Sequence, residues 1–166
     1  MYATWFVFEK NDAGYFTNII NELSTKYDAQ PFKPHITAYG LVDIDLGKLD
    51  KIVTNSIQGQ KQIVVEKSRV AYSDVFWKTL FVEFLPNGQL IQINKKLTES
   101  LDSVAKYDFV PHVSLIYKKM KESEQKKLVD TIRIKENFAV AGMWIQQFHE
   151  DIDKWKIVRK YSFDSN

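Results

Sequence analysis

Two hexapeptides in this chain match each other, Phe32-Lys33-Pro34-His35-Ile36-Thr37 and Phe109-Val110-Pro111-His112-Val113-Ser114. They share Phe, Pro and His outright, and Ile/Val and Thr/Ser by class. The chain holds three histidines in all, so two of them in matched contexts mark where chemistry is to be sought. Each copy reads as the opening of a strand, on which alternate side chains share a face. His35 then stands beside Thr37 and His112 beside Ser114, with Ile36 and Val113 turned the other way to anchor the strand. The preceding proline is tolerated because a first strand residue needs no ladder hydrogen bond.

Opening a cyclic phosphodiester with water asks for a base on the side of attack and an acid on the leaving-oxygen side, because the two lie roughly in line through phosphorus. One imidazole cannot serve both sides, whereas two can. A reference pKa of about 6.5 leaves both protonation states accessible near neutrality. The hydroxyls of Thr37 and Ser114 would donate hydrogen bonds to the non-bridging phosphate oxygens. Such a device uses no metal and no cofactor, and the sequence leaves open which histidine is the base.

Two other readings compete. The first takes both histidines as satisfied strand residues of a duplicated packing motif, which suits a lone histidine better than a matched pair. A metal site of His35, His112 and His149 is weaker, since His-x-Thr is not a ligand spacing and no His/carboxylate motif of the metalloenzyme kind is present. His149 lies in the acidic context Glu150-Asp151-Ile152-Asp153 with no hydroxyl partner two residues on, and reads as surface structure in a turn.

The absence of cysteine removes disulfides, zinc thiolate sites and cysteine nucleophiles. A net charge of +2 over 166 residues suits a small anionic ligand better than a long nucleic acid. That length fits one domain, and 45% hydrophobic residues with few Gly and Pro exclude disorder and fibrous classes. The apolar opening Tyr2 to Phe8 stops at Glu9 without a basic leader, so it reads as a strand and not a signal peptide, and no stretch approaches a membrane span. The expectation is a soluble, cytoplasmic monomer.

The elements that would position the motifs follow from periodicity. A strand over Tyr2 to Glu9 leads, through a cap at Asn11 or Asp12, into a helix to Tyr27 with Phe16, Ile19, Ile20 and Leu23 on one stripe. Phe32 to Leu41 predicts a strand, Asp45 caps a short helix ending near Gly59, and Lys61 to Tyr72 and Lys78 to Leu85 predict an antiparallel pair joined by Ser73 to Trp77. After Pro86-Asn87-Gly88 comes a third helix carrying Leu90, Ile93, Leu97 and Leu101. A strand over Phe109 to Tyr117, a helix capped at Ser123, and strands near Ala139 to Phe148 and Trp155 to Phe163 complete the chain.

On its two His-x-(Thr/Ser) motifs, one in each half of the chain, the sequence resembles the two-histidine (2H) phosphoesterase superfamily. Trp5, Pro34-His35-Ile36-Thr37 and Pro111-His112-Val113-Ser114-Leu115-Ile116-Tyr117 make it most similar to the cyclic phosphodiesterase group. The resemblance implies a bilobal, pseudo-twofold α+β fold, with two antiparallel sheets facing each other across a central groove and helices outside. It implies one domain over residues 1–166, made of two intertwined lobes that each supply one motif. It also implies cofactor-free hydrolysis of nucleoside 2′,3′-cyclic phosphates or of ADP-ribose 1″,2″-cyclic phosphate. The alternatives are an RNA-processing enzyme acting on 2′,3′-cyclic ends and a catalytically silent nucleotide- or RNA-binding module. Trp5 and Tyr117 match positions where similar enzymes surround the base with aromatic rings, although alternation from His112 puts Tyr117 on the wrong face unless the strand bulges near Leu115-Ile116. Tyr39 shares the His35 face by strict alternation and is expected in the same groove. Phe76 and Trp77 would be a lid or a plug at the sheet end, and Lys118 and Lys119 are expected to be solvated.

Overall fold

Seven strands and four helices alternate along the chain in the computed structural model, which describes residues 1–166. In order they are β1 (Tyr2–Phe8), α1 (Lys10–Tyr27), β2 (Ile36–Val42), α2 (Leu46–Ser56), β3 (Ile63–Tyr72), β4 (Leu80–Phe84), α3 (Gly88–Leu101), β5 (His112–Ile116), α4 (Glu122–Thr131), β6 (Asn137–Gln147) and β7 (Lys156–Ser162). Short 3₁₀ turns occupy Phe76–Lys78 and Ile152–Lys154. No helix is long and apolar enough to cross a membrane.

Local chemistry sets the helix starts. Asp45 Oδ1 accepts the Lys48 amide at 3.0 Å, and Asn87 Oδ1 accepts those of Gln89 and Leu90 at 3.0 and 3.1 Å. At α1 the cap is Glu9, which accepts the Asn11 amide at 3.0 Å, instead of Asn11 or Asp12. Asp12 is engaged elsewhere: its carboxylate accepts the Ala139 amide at 2.7 Å and pairs with Lys135, fastening α1 to the start of β6. Lys118, expected in solvent, donates to the carbonyls of Tyr27 and Asp28 at the C-terminal end of α1, where a cation is favoured.

All strand pairs are antiparallel, in the order β1-β2-β5-β4-β3-β6-β7, with β1 also paired to β6. The fold is α+β, with four helices and one continuous seven-stranded antiparallel sheet in which β2-β1-β6-β7 and β3-β4-β5 can be told apart as two halves. The two halves are also hydrogen-bonded to one another. β3 pairs with β6 through Ile63 to Glu66 before turning to β4, and β2 meets β5 at the single pair Ile36↔Val113. A core of 29 buried residues draws on both halves, with α1 packed on β1 and β5, α3 on β2, and α4 on β3.

The Ile36↔Val113 pair is where the fold brings the motifs together. Each is the middle residue of its His-x-Thr/Ser triplet, and each is fully buried. The strands begin later than the pattern predicts, since Phe32 to Pro34 and Phe109 to Pro111 lie in the irregular segments that lead into β2 and β5. Ile36→Ala should lower the unfolding free energy by about 2–5 kcal/mol through the cavity left at this junction. Equilibrium urea unfolding measures it, and a loss under about 0.5 kcal/mol would show that the junction relaxes freely.

Candidate active site

The two motifs fold in the same way up to the imidazole. His35 Nδ1 lies 2.7 Å from the Lys33 carbonyl, and His112 Nδ1 lies 2.7 Å from the Val110 carbonyl. A carbonyl oxygen only accepts, so Nδ1 donates in both rings and Nε2 is left for a ligand. Both rings line one cavity of about 280 Å³, together with Thr37 and Ser114. That size suits a small ligand.

The surroundings of the two rings differ. Trp5 stacks on His35 with 3.6 Å between centroids and 8° between planes, and His35 is buried. Burial lowers its pKa from 6.5 to about 4, against the opposing Lys33 carbonyl bond and with a smaller contribution from the charge of His112. His112 is only partly buried, with the edge of Phe81 5.5 Å away. Burial also depresses its pKa, the Val110 carbonyl opposes that shift, the Lys78 ammonium adds to it, and Glu83 counters. His35 is thus the ring held firmly neutral at neutral pH.

The hydroxyls differ too. Ser114 Oγ donates to the Trp77 carbonyl at 2.6 Å, tying the 3₁₀ turn to β5. On the other motif it is the Thr37 backbone that is engaged, its carbonyl accepting the Tyr107 phenol at 3.3 Å, and its side-chain hydroxyl is left free. Lys78, on the same 3₁₀ turn as Trp77, lines the cavity with its ammonium 4.5 Å over the Phe81 ring. It is the one lysine or arginine in the lining, next to His112, and suited to an anion.

An aromatic wall faces the histidines. Trp77 is 40% exposed at the rim, 5.0 Å from Tyr117 and 5.8 Å from Trp155, with Phe148 6.5 Å away. The bulge that Tyr117 needed is present: the β4–β5 register shifts between Phe81↔Ser114 and Leu80↔Ile116, and Tyr117 lines the cavity with Phe32 stacked behind it at 3.7 Å. Trp5 also lines the cavity, but it is 3% exposed with one face covered by His35, so it backs the imidazole and does not present an open face to a base. Tyr39 is not in the groove at all. Bulges in β2, where Trp5↔Thr37 gives way to Thr4↔Tyr39 and then Tyr2↔Val42, break the alternation and turn Tyr39 into the core, where its phenol donates to the Ala105 carbonyl at 2.6 Å. Gly40 takes its place in the lining, and a Cβ there would come within 2.9 Å of the Tyr107 ring.

His149 lies on the exposed 148–155 loop, where its carbonyl accepts the Trp155 indole N–H at 2.7 Å. It forms no ligand set with His35 and His112, and no group of three or more His, Cys, Asp or Glu side chains is gathered to hold a metal ion. Sequence reasoning did not single out Lys78, Tyr107, Gln146, Phe148 and Trp155 as lining residues. Only Trp155 carried a signal, as the first member of an alternating run.

The chain folds like several solved structures, one of them described as a phosphoesterase, with a TM-score of 0.63 at 13% identity over 98% of this chain and 97% of that one. It superposes on TT0787 of Thermus thermophilus with a TM-score of 0.66 at 11% identity, covering 98% of this chain and 97% of that one. E. coli LigT in its apo form gives 0.64 at 12% identity over 98% and 96%, and its complex with 3′-AMP gives 0.61 at 12% over the same shares. No curated protein matches the sequence closely enough to count as a relative. Residues 1–163 match the cyclic phosphodiesterase-like protein family, and the chain belongs to that family.

Proposed function

We propose that this protein hydrolyses a small cyclic phosphodiester, a nucleoside 2′,3′-cyclic phosphate or ADP-ribose 1″,2″-cyclic phosphate, with His35 as base and His112 as acid and without a metal ion. The observation that carries the reading is the repeated Nδ1-to-carbonyl bond, which leaves two Nε2 atoms available at one cavity in rings of unequal basicity. Water attacks phosphorus as its proton passes to neutral His35, the ring P–O bond breaks, and the departing oxygen takes a proton from cationic His112. One water is consumed, the product is a phosphomonoester, and solvent exchange resets both rings. The Thr37 hydroxyl, Ser114 and the Lys78 ammonium stabilise charge on the non-bridging oxygens. The aromatic wall gives a nucleoside base a stacking surface, worth about 1–3 kcal/mol per base. LigT, which shares the fold, has been seen with 3′-AMP.

The direct test follows ring opening by phosphorus NMR with EDTA-treated protein. Turnover should survive chelation. His35→Ala and His112→Ala should each cost about 10²–10⁴ in rate, and the double variant much less than the product of the two. Strict additivity, or loss of turnover in EDTA restored by a metal ion, would sink the paired mechanism.

The pH dependence of kcat/KM tests the assignment of roles. The base must be neutral, so activity rises as pH climbs through about 4, the value set for His35 by its burial. The acid must be protonated, so activity falls as pH rises through the pKa of His112, which lies below 6.5. The optimum should therefore lie on the acid side of 6.5. In Lys78→Met the cation that depresses His112 is gone, so the alkaline limb should move to higher pH and KM should rise. An alkaline limb that stays in place would remove Lys78 from the phosphate site.

A further inference from the structure

At the end of the cavity away from the motifs lies one polar side chain with a hydrogen bond to spare. β6 turns Met143 and Ile145 into the main core and Trp144 and Gln146 to the opposite side. Gln146 is 1% exposed and lines the cavity. Its amide donates to the Gln147 carbonyl at 2.7 Å, and because a carbonyl can only accept, that atom must be Nε2. Oε1 is left with no partner in the protein, yet it is not among the side-chain atoms sealed unpaired in the interior, which are Thr4 Oγ1 and Ser24 Oγ. It is an acceptor without a protein partner, on a buried residue of the cavity lining.

The position of this acceptor fits a base edge. Gln146 pairs with Ala3 across β6 and β1, and Ala3 is two residues along β1 from Trp5, the ring stacked on His35. Two strand residues span about 7 Å. On the proposed reading, a nucleoside with its phosphate between the histidines and its ribose running along β1 toward Ala3 brings its base near Gln146. Of the nearby aromatic wall, the Trp155 indole N–H is committed to the His149 carbonyl.

A desolvated acceptor rewards a donor and penalises a second acceptor, which would leave both groups unpaired. Resting on the nucleoside reading above, we propose that Gln146 selects the base: it accepts a hydrogen bond from the exocyclic amine of cytosine or adenine and rejects uracil and hypoxanthine, which carry a carbonyl at that edge.

The test compares kcat/KM for the 2′,3′-cyclic phosphates of cytidine against uridine and of adenosine against inosine, with glycerol 1,2-cyclic phosphate as a base-free ester. The amine-bearing member of each pair should be favoured by about tenfold or more, and Gln146→Met should bring both ratios to near one. Because each ratio is taken within one protein preparation, partial misfolding of the variant does not affect it. Ratios near one in the unaltered protein, ratios that persist in Gln146→Met, or turnover of the glycerol ester alone would overturn the role of Gln146 while leaving the histidine chemistry standing. Failure to open any of these esters, or ADP-ribose 1″,2″-cyclic phosphate assayed beside them, would overturn both.

Discussion

The site depends on a hydrogen bond made twice, from a histidine Nδ1 to the carbonyl two residues earlier. The proline between them gives each motif its shape. Pro34 and Pro111 fix their own φ and hold Lys33 and Val110 in extended backbone, so those carbonyls are set in place before the imidazole arrives. The bond then fixes both tautomer and ring orientation. A motif read as Pro-His-x-Thr/Ser is in physical terms a device for presenting Nε2. The buried pair Ile36↔Val113 sets two such devices side by side, one from each half of the sheet.

Identical local geometry does not give identical chemistry, because the tertiary environment sets the pKa values. His35 is packed under Trp5, and its charged form would lose hydration that the Lys33 carbonyl bond replaces only in part. His112 sits nearer the surface between Lys78 and Glu83, whose charges act on it in opposite senses. The burial that keeps His35 neutral also links folding to acidity. Its folded pKa is below the unfolded value near 6.5, so the associated stability is full above that value and is lost as pH falls through about 4.

Much of this was legible in the sequence. Periodicity placed the helices because each has one apolar stripe, and the motifs stood out because histidine is scarce. The lining was harder to read. Tyr39 was assigned to the groove on strict alternation, and the bulges of β2 are set by pairing with β1, which a single strand does not reveal. β6 is covered on both faces, by the core on one side and by Trp5, Trp155 and Ile157 on the other, so its sequence NFAVAGMWIQQ gives no clean alternation to show which side Gln146 takes. Lys78 and Trp77 sit in a connection, and their place at the rim comes from a tertiary bond to Ser114.

That bond also separates the two hydroxyls that the repeat presents as equals. The Thr37 hydroxyl is unengaged, so it can donate to a phosphate oxygen without giving anything up. Ser114 has one hydroxyl proton, and it is held by the Trp77 carbonyl at 2.6 Å. For that proton to reach a phosphate the bond to Trp77 must be exchanged, and exchange of similar hydrogen bonds yields little net free energy. Ser114 holds the turn that carries Trp77 and Lys78 against β5, and in the proposed mechanism its share of the developing charge would be smaller than that of Thr37 and the Lys78 ammonium. The two halves of the repeat carry matching residues in different hydrogen-bond settings.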